Sequence, residues 1–501
     1  MQSKSRTRFV RSWMLASGMA IAALVTAPPA SAGAISTTMP DTQAGQLGAA
    51  MIAHINSDTP EGIQLWAPTV LSPAVDGDMR AALLRQLAVA VRDSGGVDFV
   101  DARTQGPPGM LVVTIKGRRS GQLAALVLLP DPEQPGKLAM VDLVPLDDPA
   151  LFDGWPEAGA TQEDVVRLTR TALDHFQQAN DFSGCLSISD GTKTFFEECR
   201  GLAERRFAVP VDLTTKFHIG SLNKMFTAVA IAQLVEAGKL SWDDTLASHL
   251  PEYPDRAAAE SITVWQLLHH TAGLGDFIVP ELFAQRENYV ATTDYLDLIA
   301  RQPRVGEPGG EWSYSNAGFL LLGRIVENLS GQTYPDYIAR HVFEPAGMSA
   351  SGYDSVDEIV PGLAVGYYRE GAFAQAWKAD WLKVPYSASP AGGGYSTTSD
   401  LLRFAAALRG GKLLKPETLS TMFENGVPVG PGTYAAGFGE RVSHGRHIRG
   451  HAGGIEGTDA NLAIVWETGA SVALTSNQGP GQYWLFAERI ADLLAGQDDK
   501  R

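Results

Sequence analysis

Hydrophobic positions divide the chain into two predicted folded segments. Between residues 46 and 146, apolar positions first recur at helical spacing and then form four short runs separated by turn residues. Helices followed by antiparallel strands predict a small α+β domain over 46–146. Residues 147–160, rich in Asp, Pro, Gly and Ala, predict a linker. Helical periodicity resumes at Thr161, so a second domain is predicted over 161–501. The four strand-like runs are 97–102, 110–116, 122–129 and 137–146.

The first 32 residues have the three-part layout of a secretory signal. Four basic residues and no acidic ones accompany an apolar run from Trp13 to about Ala27, and Ala30-Ser31-Ala32 follows. We expect cleavage near Ala32 and export to the periplasm or the medium. The run is shorter than the ~20 residues that span a bilayer, and no later segment is long and apolar enough for a stable membrane anchor.

Composition and charge exclude several classes of protein. The 501 residues are 45% hydrophobic and 19% charged, which is typical of a soluble globular protein. The formal net charge of −16 would repel nucleic acid, so a nucleic-acid partner is not expected. No His, Cys, Asp and Glu residues have the spacing of a metal site, and no glycine-rich phosphate loop follows a strand. The sequence therefore predicts no metal and no other cofactor.

The two cysteines, Cys185 and Cys199, flank a predicted hairpin. Asp190-Gly191 is a turn signal between two strand-like runs, 184–189 and 194–198. A loop of three residues would place the cysteines opposite each other, where a disulfide fits. A pair of buried free thiols fits the same residues equally well, so the sequence leaves both alternatives open.

The sharpest chemical signal is Ser221-x-x-Lys224 at the start of a predicted helix. A serine hydroxyl is a weak nucleophile, and a lysine one turn away can accept its proton only where burial lowers the pKa of the ammonium. The helix start adds backbone N–H groups that stabilise developing negative charge. Such a pair also occurs by chance on solvated helix surfaces, so its weight depends on other motifs in the chain.

Two further motifs follow in order: Tyr314-Ser315-Asn316 before an apolar helical run, and His451-Ala452-Gly453 before a predicted strand. Together with Ser221-x-x-Lys224 they resemble the serine β-lactamase and penicillin-binding protein family, in the branch of class C β-lactamases, D-alanyl-D-alanine carboxypeptidases, D-aminopeptidases and related esterases. The resemblance implies an α+β fold, with an antiparallel sheet flanked by helices and a helical lobe. Supporting phrases lie at 267–274, 390–397 and 474–477, and the resemblance covers about 161–494.

The resemblance also implies a role for each motif residue. Ser221 is the acylated nucleophile, Lys224 helps to deprotonate it, and Tyr314 exchanges protons with the serine, the leaving group and the hydrolytic water. Asn316 bonds to Lys224 or to a substrate amide. The backbone N–H groups of Ser221 and of Gly454, directly after the third motif, form the oxyanion hole.

The third motif departs from class C β-lactamases, which carry Lys-Thr-Gly there. A histidine near its reference pKa of about 6.5 is mostly neutral at pH 7, and Ala452 offers no hydroxyl. His451 and Ala452 therefore weaken the binding of a β-lactam carboxylate, whereas His-x-Gly also occurs in peptidase and esterase members. His269 and His270, in the first supporting phrase, are expected to pack or to cap a loop.

The expected function is that of an exported serine hydrolase that acts through an acyl-serine intermediate, with a small-molecule ester as substrate. A D-alanyl-D-alanine carboxypeptidase or D-aminopeptidase acting on D-amino-acid peptides, or a weak β-lactamase, is the alternative. A non-catalytic binding or sensor protein on the same fold is the second alternative. The sequence leaves open the natural substrate, the role of the first domain and the oligomeric state.

Overall fold

The computed structural model describes residues 35–497, except for residues 74, 76, 147–148, 179–181, 480 and 482. The predicted secretory signal lies outside the described residues. The chain divides into two compact units. The first comprises the chain up to Asp153 together with Tyr368–Lys378, and the second comprises Gly154–Tyr367 and the chain from Ala379 onward. No hydrophobic pattern in the sequence indicates that Tyr368–Lys378 belongs with the first unit.

In the first unit, helices are followed by a four-stranded antiparallel sheet with its strands in chain order. One face of the sheet and the helices enclose a core that includes Met51, Leu87 and Leu126, all of them fully buried. Phe373, from the segment Tyr368–Lys378, is also buried in this core. The elements are α1 (Gln43–Ser57), α2 (Pro60–Trp66), α3 (Gly77–Asp93), β1 (Val97–Thr104), β2 (Leu111–Gly117), β3 (Leu123–Pro130) and β4 (Leu138–Leu146).

The second unit is built on an eight-stranded antiparallel sheet whose order is β13-β14-β15-β16-β17-β18-β5-β6. The first hairpin of the unit, β5–β6, therefore pairs with β18, which lies near the end of the chain. The strands are β5 (Gly184–Ser189), β6 (Thr194–Arg200), β13 (Val427–Val429), β14 (Gly432–Ala435), β15 (Phe438–Ser443), β16 (Arg446–Ile455), β17 (Thr458–Val465) and β18 (Ser471–Ser476). Short strands are β7 (Leu202–Glu204), β8 (Val209–Pro210), β9 (Phe217–His218), β10 (Tyr367–Tyr368), β11 (Lys378–Ala379) and β12 (Tyr395–Ser396).

Helices cover both faces of this sheet, and a helical lobe lies beside it. On one face, Leu462 and Ile464 of β17 share a core with the helices Asn223–Glu236 (α5) and Thr398–Arg409 (α14). On the other face, Asn461 of β17 donates a hydrogen bond to Glu488 of the helix Tyr483–Ala495 (α16) at 3.0 Å. The antiparallel sheet with flanking helices and a lobe confirms the α+β fold implied by the sequence. The helices are α4 (Gln162–Gln178), α5 (Asn223–Glu236), α6 (Leu246–His249), α7 (Arg256–Ser261), α8 (Val264–Leu268), α9 (Pro280–Ala284), α10 (Leu296–Arg301), α11 (Asn316–Ser330), α12 (Tyr334–Ile338), α13 (Glu344–Ala346), α14 (Thr398–Arg409), α15 (Pro416–Phe423) and α16 (Tyr483–Ala495).

Cys185 and Cys199 lie opposite each other on β5 and β6 and are joined by a disulfide, with their Cα atoms 4.1 Å apart. The structure thus has the bonded form of the two alternatives. The hairpin loop holds residues 190–193, one more than the three-residue loop considered from the sequence, and the register shifts between Ile188 and Ser189. This bulge keeps the cysteines in register despite the longer loop.

Within the part of the chain that the structure describes, none of the helices is long and apolar enough to cross a membrane. Among the same residues, no cluster of three or more His, Cys, Asp or Glu side chains could hold a metal ion.

Candidate active site

Ser221 lies in a tight turn between β9 and α5. The turn is a short 3-10 segment, Gly220–Leu222, and Gly220 has the left-handed φ of 52° that glycine adopts readily. A Cβ on Gly220 would lie 3.0 Å from the backbone nitrogen of Gly454, so the turn comes very close to β16. Ser221 is 8% exposed, and its amide belongs to the first turn, where N–H groups have no partner within the helix.

Lys224 follows one turn later on α5 and is fully buried. Its Nζ lies 3.1 Å from Ser221 Oγ, 2.7 Å from Asn316 Oδ1 and 2.5 Å from the carbonyl oxygen of Ala391. Burial lowers the pKa of Lys224 from 10.5 to about 7, although the negative charge of Asp276 opposes this shift. A neutral amine has two N–H donors and one lone pair. With the donors on Asn316 and Ala391, the lone pair faces the serine hydroxyl, which is the arrangement of a general base.

Tyr314 lies in the loop before α11, and its ring centroid is 4.7 Å from Lys224 Nζ. Burial raises the pKa of the Tyr314 phenol, while the neighbouring Ser221 hydroxyl lowers it by a smaller amount. The phenol is therefore protonated at neutral pH, which suits a proton donor. Its buried oxygen makes no hydrogen bond of ordinary geometry with the described residues, so it is available to a substrate atom.

Asn316 is the first residue of α11, and its side-chain amide bridges Lys224 and Asp276. The Oδ1 atom accepts from Lys224, and Nδ2 donates to Asp276 Oδ2 at 2.8 Å. The backbone N–H of Asn316 donates to the same carboxylate oxygen at 3.1 Å. The amide orientation is thereby fixed, with its carbonyl oxygen toward the lysine.

The third motif lies on β16, directly against the serine turn. A Cβ on Gly453 would lie 2.0 Å from the carbonyl oxygen of Ile219 and 2.9 Å from the amide nitrogen of Ser221, so only glycine fits there. Gly454 is the next residue, and its nitrogen would lie 3.0 Å from a Cβ on Gly220. The two amides that the resemblance assigns to the oxyanion hole therefore lie where the turn meets β16.

His451 supplies no positive charge to the site. Burial and the nearby Lys224 charge lower the pKa of His451 to about 3. The Nδ1 atom lies 2.5 Å from the carbonyl oxygen of Ala452, so it carries the hydrogen and donates. The Nε2 atom then accepts from the Tyr434 hydroxyl at 3.1 Å. The imidazole is neutral, with both of its nitrogens bonded.

The two histidines of the first supporting phrase bond to the backbone, as expected for packing and capping. His269 lies between the carbonyl oxygen of Trp265 (2.8 Å) and the N–H of Ala436 (3.1 Å). His270 accepts the N–H of Ser315, within the second motif, on Nδ1 at 3.1 Å. His270 therefore supports the catalytic loop.

Asp276 is the residue of this network that was not identified from the sequence. It follows the phrase 267–274 by two residues, and a single aspartate after a glycine has no spacing that marks it as functional. Its position close to three motif residues depends on a fold in which residues 276 and 316 meet across a separation of 40 residues.

Comparisons with known proteins agree with this geometry. A model of the β-lactamase family matches residues 170–495, which is well over half of the chain. PbpX of Bacillus subtilis, named as a penicillin-binding protein, is 30% identical over 293 residues, covering 58% of this chain and 71% of that relative. The chain spans 55% of the length of penicillin-binding protein 4* of the same bacterium.

Two solved structures extend the comparison. The penicillin binding protein from Bacillus halodurans aligns with a TM-score of 0.58 at 30% identity, over 64% of this chain and 98% of that one. The D-amino acid amidase from Ochrobactrum anthropi, complexed with L-phenylalanine amide, aligns with a TM-score of 0.58 at 26% identity, over 66% and 97%. The family match and the ordered Ser-x-x-Lys, Tyr-x-Asn and His-x-Gly motifs lead to one conclusion: this chain belongs to the β-lactamase family of serine hydrolases, which includes penicillin-binding protein-like members.

Proposed function

We propose that the protein hydrolyses esters and amides through an acyl-enzyme on Ser221. The observation that carries the proposal is the buried Lys224 amine, 3.1 Å from Ser221 Oγ, with its pKa lowered to about 7. A lysine with an ordinary pKa would be protonated at neutral pH and could not accept the serine proton. Because the pKa of Lys224 lies near neutral pH, its amine meets the requirement for a general base.

In the proposed first half-reaction, Ser221 Oγ attacks the substrate carbonyl carbon as its proton passes to Lys224. The Oγ–C bond forms, and the carbonyl oxygen becomes an oxyanion beside the amides of Ser221 and Gly454; each such donor is worth ~10²–10³ in rate. The Tyr314 phenol donates its proton to the leaving alkoxide or amine as the bond to carbon breaks. The proton held by Lys224 then restores the phenol.

The second half-reaction repeats these steps with water. Water attacks the acyl-serine carbonyl carbon and gives one proton to the neutral Lys224 amine. As the bond between Ser221 Oγ and the acyl carbon breaks, that proton passes from Lys224 to Ser221 Oγ. The products are the free acid and the regenerated serine. In both half-reactions, residues of this chain carry out every proton transfer.

The neutral third motif supports a particular substrate class. A carboxylate next to the scissile bond would meet His451, whose imidazole is neutral and whose nitrogens are both bonded. We therefore propose substrates without a carboxylate at that position, with esters as the first class. D-Amino-acid amides are the second class, and the likeness to the D-amino acid amidase of Ochrobactrum anthropi favours them. The signal-like segment 1–32 supports an exported enzyme, and the first residue of the purified mature chain tests that part of the proposal.

A matched substrate panel tests the proposal. A p-nitrophenyl ester, the p-nitroanilides of D- and L-phenylalanine, and a chromogenic cephalosporin that carries a carboxylate are compared on wild type, Ser221→Ala and Ser420→Ala. Ser420 lies on α15, outside the site, and serves as the matched serine control. We expect wild type and Ser420→Ala to turn over the ester, or to turn over the D-phenylalanine anilide faster than the L-phenylalanine anilide. We expect no turnover by Ser221→Ala.

Three results would contradict the proposal. Undiminished turnover by Ser221→Ala would place the chemistry elsewhere in the protein. A cephalosporin hydrolysed faster than every neutral substrate would show that the third motif binds a carboxylate after all. Absence of turnover together with absence of covalent labelling would favour the non-catalytic binding protein.

A further inference from the structure

The loop after α8 holds the second motif on both sides of its tyrosine. The carbonyl oxygen of His270 accepts the N–H of Ser313 at 2.9 Å, and His270 Nδ1 accepts the N–H of Ser315 at 3.1 Å. Farther along the same loop, Asp276 Oδ2 accepts both the backbone N–H and the side-chain amide of Asn316. Three hydrogen bonds from one loop thus fix the backbone before and after the catalytic tyrosine, and a fourth holds the Asn316 side chain.

The bond from Asp276 decides which way the Asn316 amide faces. Because Nδ2 donates to the carboxylate, the opposite end, Oδ1, faces the lysine and accepts from Nζ at 2.7 Å. A flipped amide would point N–H groups at the lysine N–H groups and lose both hydrogen bonds. The carboxylate therefore acts on Lys224 through one fixed amide.

The charges of the groups around Lys224 also point to Asp276. Ser221, Tyr314 and Asn316 face Lys224 as uncharged groups. His270 and His451 also lie near the lysine charge, and burial lowers the pKa of both imidazoles, so they are neutral at neutral pH. The electrostatic interaction that favours the ammonium form of Lys224 comes from Asp276.

We propose that Asp276 is a positioning residue, which acts through Asn316 to aim the Lys224 amine at Ser221 and to stabilise the ammonium that forms when the serine gives up its proton. In that step the Oγ–H bond breaks and an Nζ–H bond forms, so the charge appears on a group that would otherwise be surrounded by neutral atoms. The inference rests on the proposed function, because it assigns Asp276 a part in the same proton transfer.

Two substitutions separate charge from hydrogen bonding. Asp276→Asn keeps an acceptor oxygen for Asn316 and removes the charge, whereas Asp276→Leu has a similar shape and removes both. Asp255→Asn is the matched control, because Asp255 also accepts a backbone N–H at a helix start, that of Ala258 at 3.0 Å, but does not contact the site. Thermal unfolding verifies that each variant is folded.

Two readouts follow the lysine. One is the titration of Lys224 by NMR of protein labelled with nitrogen-15 lysine, with Lys224→Met as the assignment control. The other is the pH dependence of the rate at which a serine-reactive phosphonate acylates the protein. With Asp276→Asn we expect the Lys224 titration and the acid limb of the rate profile to move down together by about 1 pH unit. With Asp276→Leu we expect the plateau rate to fall about 10²-fold, since misplacement of a catalytic group has costs of that order.

The outcomes distinguish this inference from the proposed function. If Asp276→Asn leaves both the lysine titration and the acid limb at their wild-type values, the inference is overturned while the proposed function stands. If wild type is not acylated, the proposed function fails, and the NMR titration still decides whether Asp276 acts on Lys224. A loss of thermal stability with an unchanged lysine titration in Asp276→Asn would mark a merely structural residue and would also overturn the inference.

Discussion

The replacement of Lys224 by methionine tests the buried amine without relying on any substrate. Lys224 is fully buried, and its pKa falls from 10.5 in water to about 7 in the folded protein. Methionine has a similar length and is apolar, so it fills the same space without a charge to desolvate. The substitution removes both the base and the pH dependence that the base gives to folding.

The effect of Lys224 on the free energy of unfolding follows from its pKa. Each pKa unit corresponds to 1.36 kcal/mol, so burial of the protonated lysine opposes folding by about 5 kcal/mol below pH 7. Between about pH 7 and pH 10.5, the unfolded chain holds more protons on Lys224 than the folded protein does, so stability rises with pH in that window. Between pH 7 and pH 9, the free energy of unfolding of wild type should rise by about 2 kcal/mol relative to that of Lys224→Met.

Equilibrium urea unfolding at pH 7 and pH 9, followed by tryptophan fluorescence, measures this difference. The hydrogen bonds that the variant loses to Asn316 and Ala391 contribute equally at the two pH values, so they cancel in the comparison. Lys239→Met, at an exposed lysine just after α5, should show the same stability difference from wild type at both pH values. If the difference between wild type and Lys224→Met is also the same at both, the lysine has an ordinary pKa and its assignment as the base is refuted.

Three further substitutions address other parts of the site. Tyr314→Phe should leave the midpoint of thermal unfolding nearly unchanged, because the Tyr314 hydroxyl makes no ordinary hydrogen bond. The same substitution should lower kcat by about 10²–10⁴-fold in steady-state assays, and an unchanged kcat would contradict the role of Tyr314 as proton donor. His451→Lys should raise the rate of acylation by a carboxylate-bearing cephalosporin about tenfold relative to the rate with a neutral ester, as measured by stopped flow. An unchanged ratio of the two rates would show that residue 451 does not contact the carboxylate. Gly453→Ala would place a Cβ 2.0 Å from the carbonyl oxygen of Ile219 and should slow phosphonate labelling by about 10²–10³-fold; labelling at the wild-type rate would argue against the oxyanion hole at this junction.

The features that the sequence predicted are those carried by local spacing. Ser221 and Lys224 are separated by one helical turn, so a helix start at Ser221 is sufficient to bring them together. The apolar positions after Lys224 recur at helical spacing, and the structure has the predicted helix there, α5, with most of its residues buried. The four strand-like runs of the first unit correspond to β1–β4 within about two residues, because each run is bounded by turn residues.

The features that the sequence did not predict depend on contacts between distant residues. Asp276 reaches Asn316 only in the folded lobe, and no periodicity marks a lone aspartate in a loop. The bond between Tyr434 and His451 depends on the pairing of β14, β15 and β16, which fixes the acceptor nitrogen of the imidazole. Phe373 joins the core of the first unit from a segment far along the chain, and its local sequence resembles an ordinary loop.

The intact mass of the protein after exposure to a serine-reactive phosphonate tests the central claim most directly. The claim is that Ser221 is an activated nucleophile, with Lys224 3.1 Å away as its base. Wild type should gain the mass of one phosphonyl group, and Ser221→Ala should gain none under the same conditions. An unlabelled but folded wild type, or an adduct that persists in Ser221→Ala, would contradict the account.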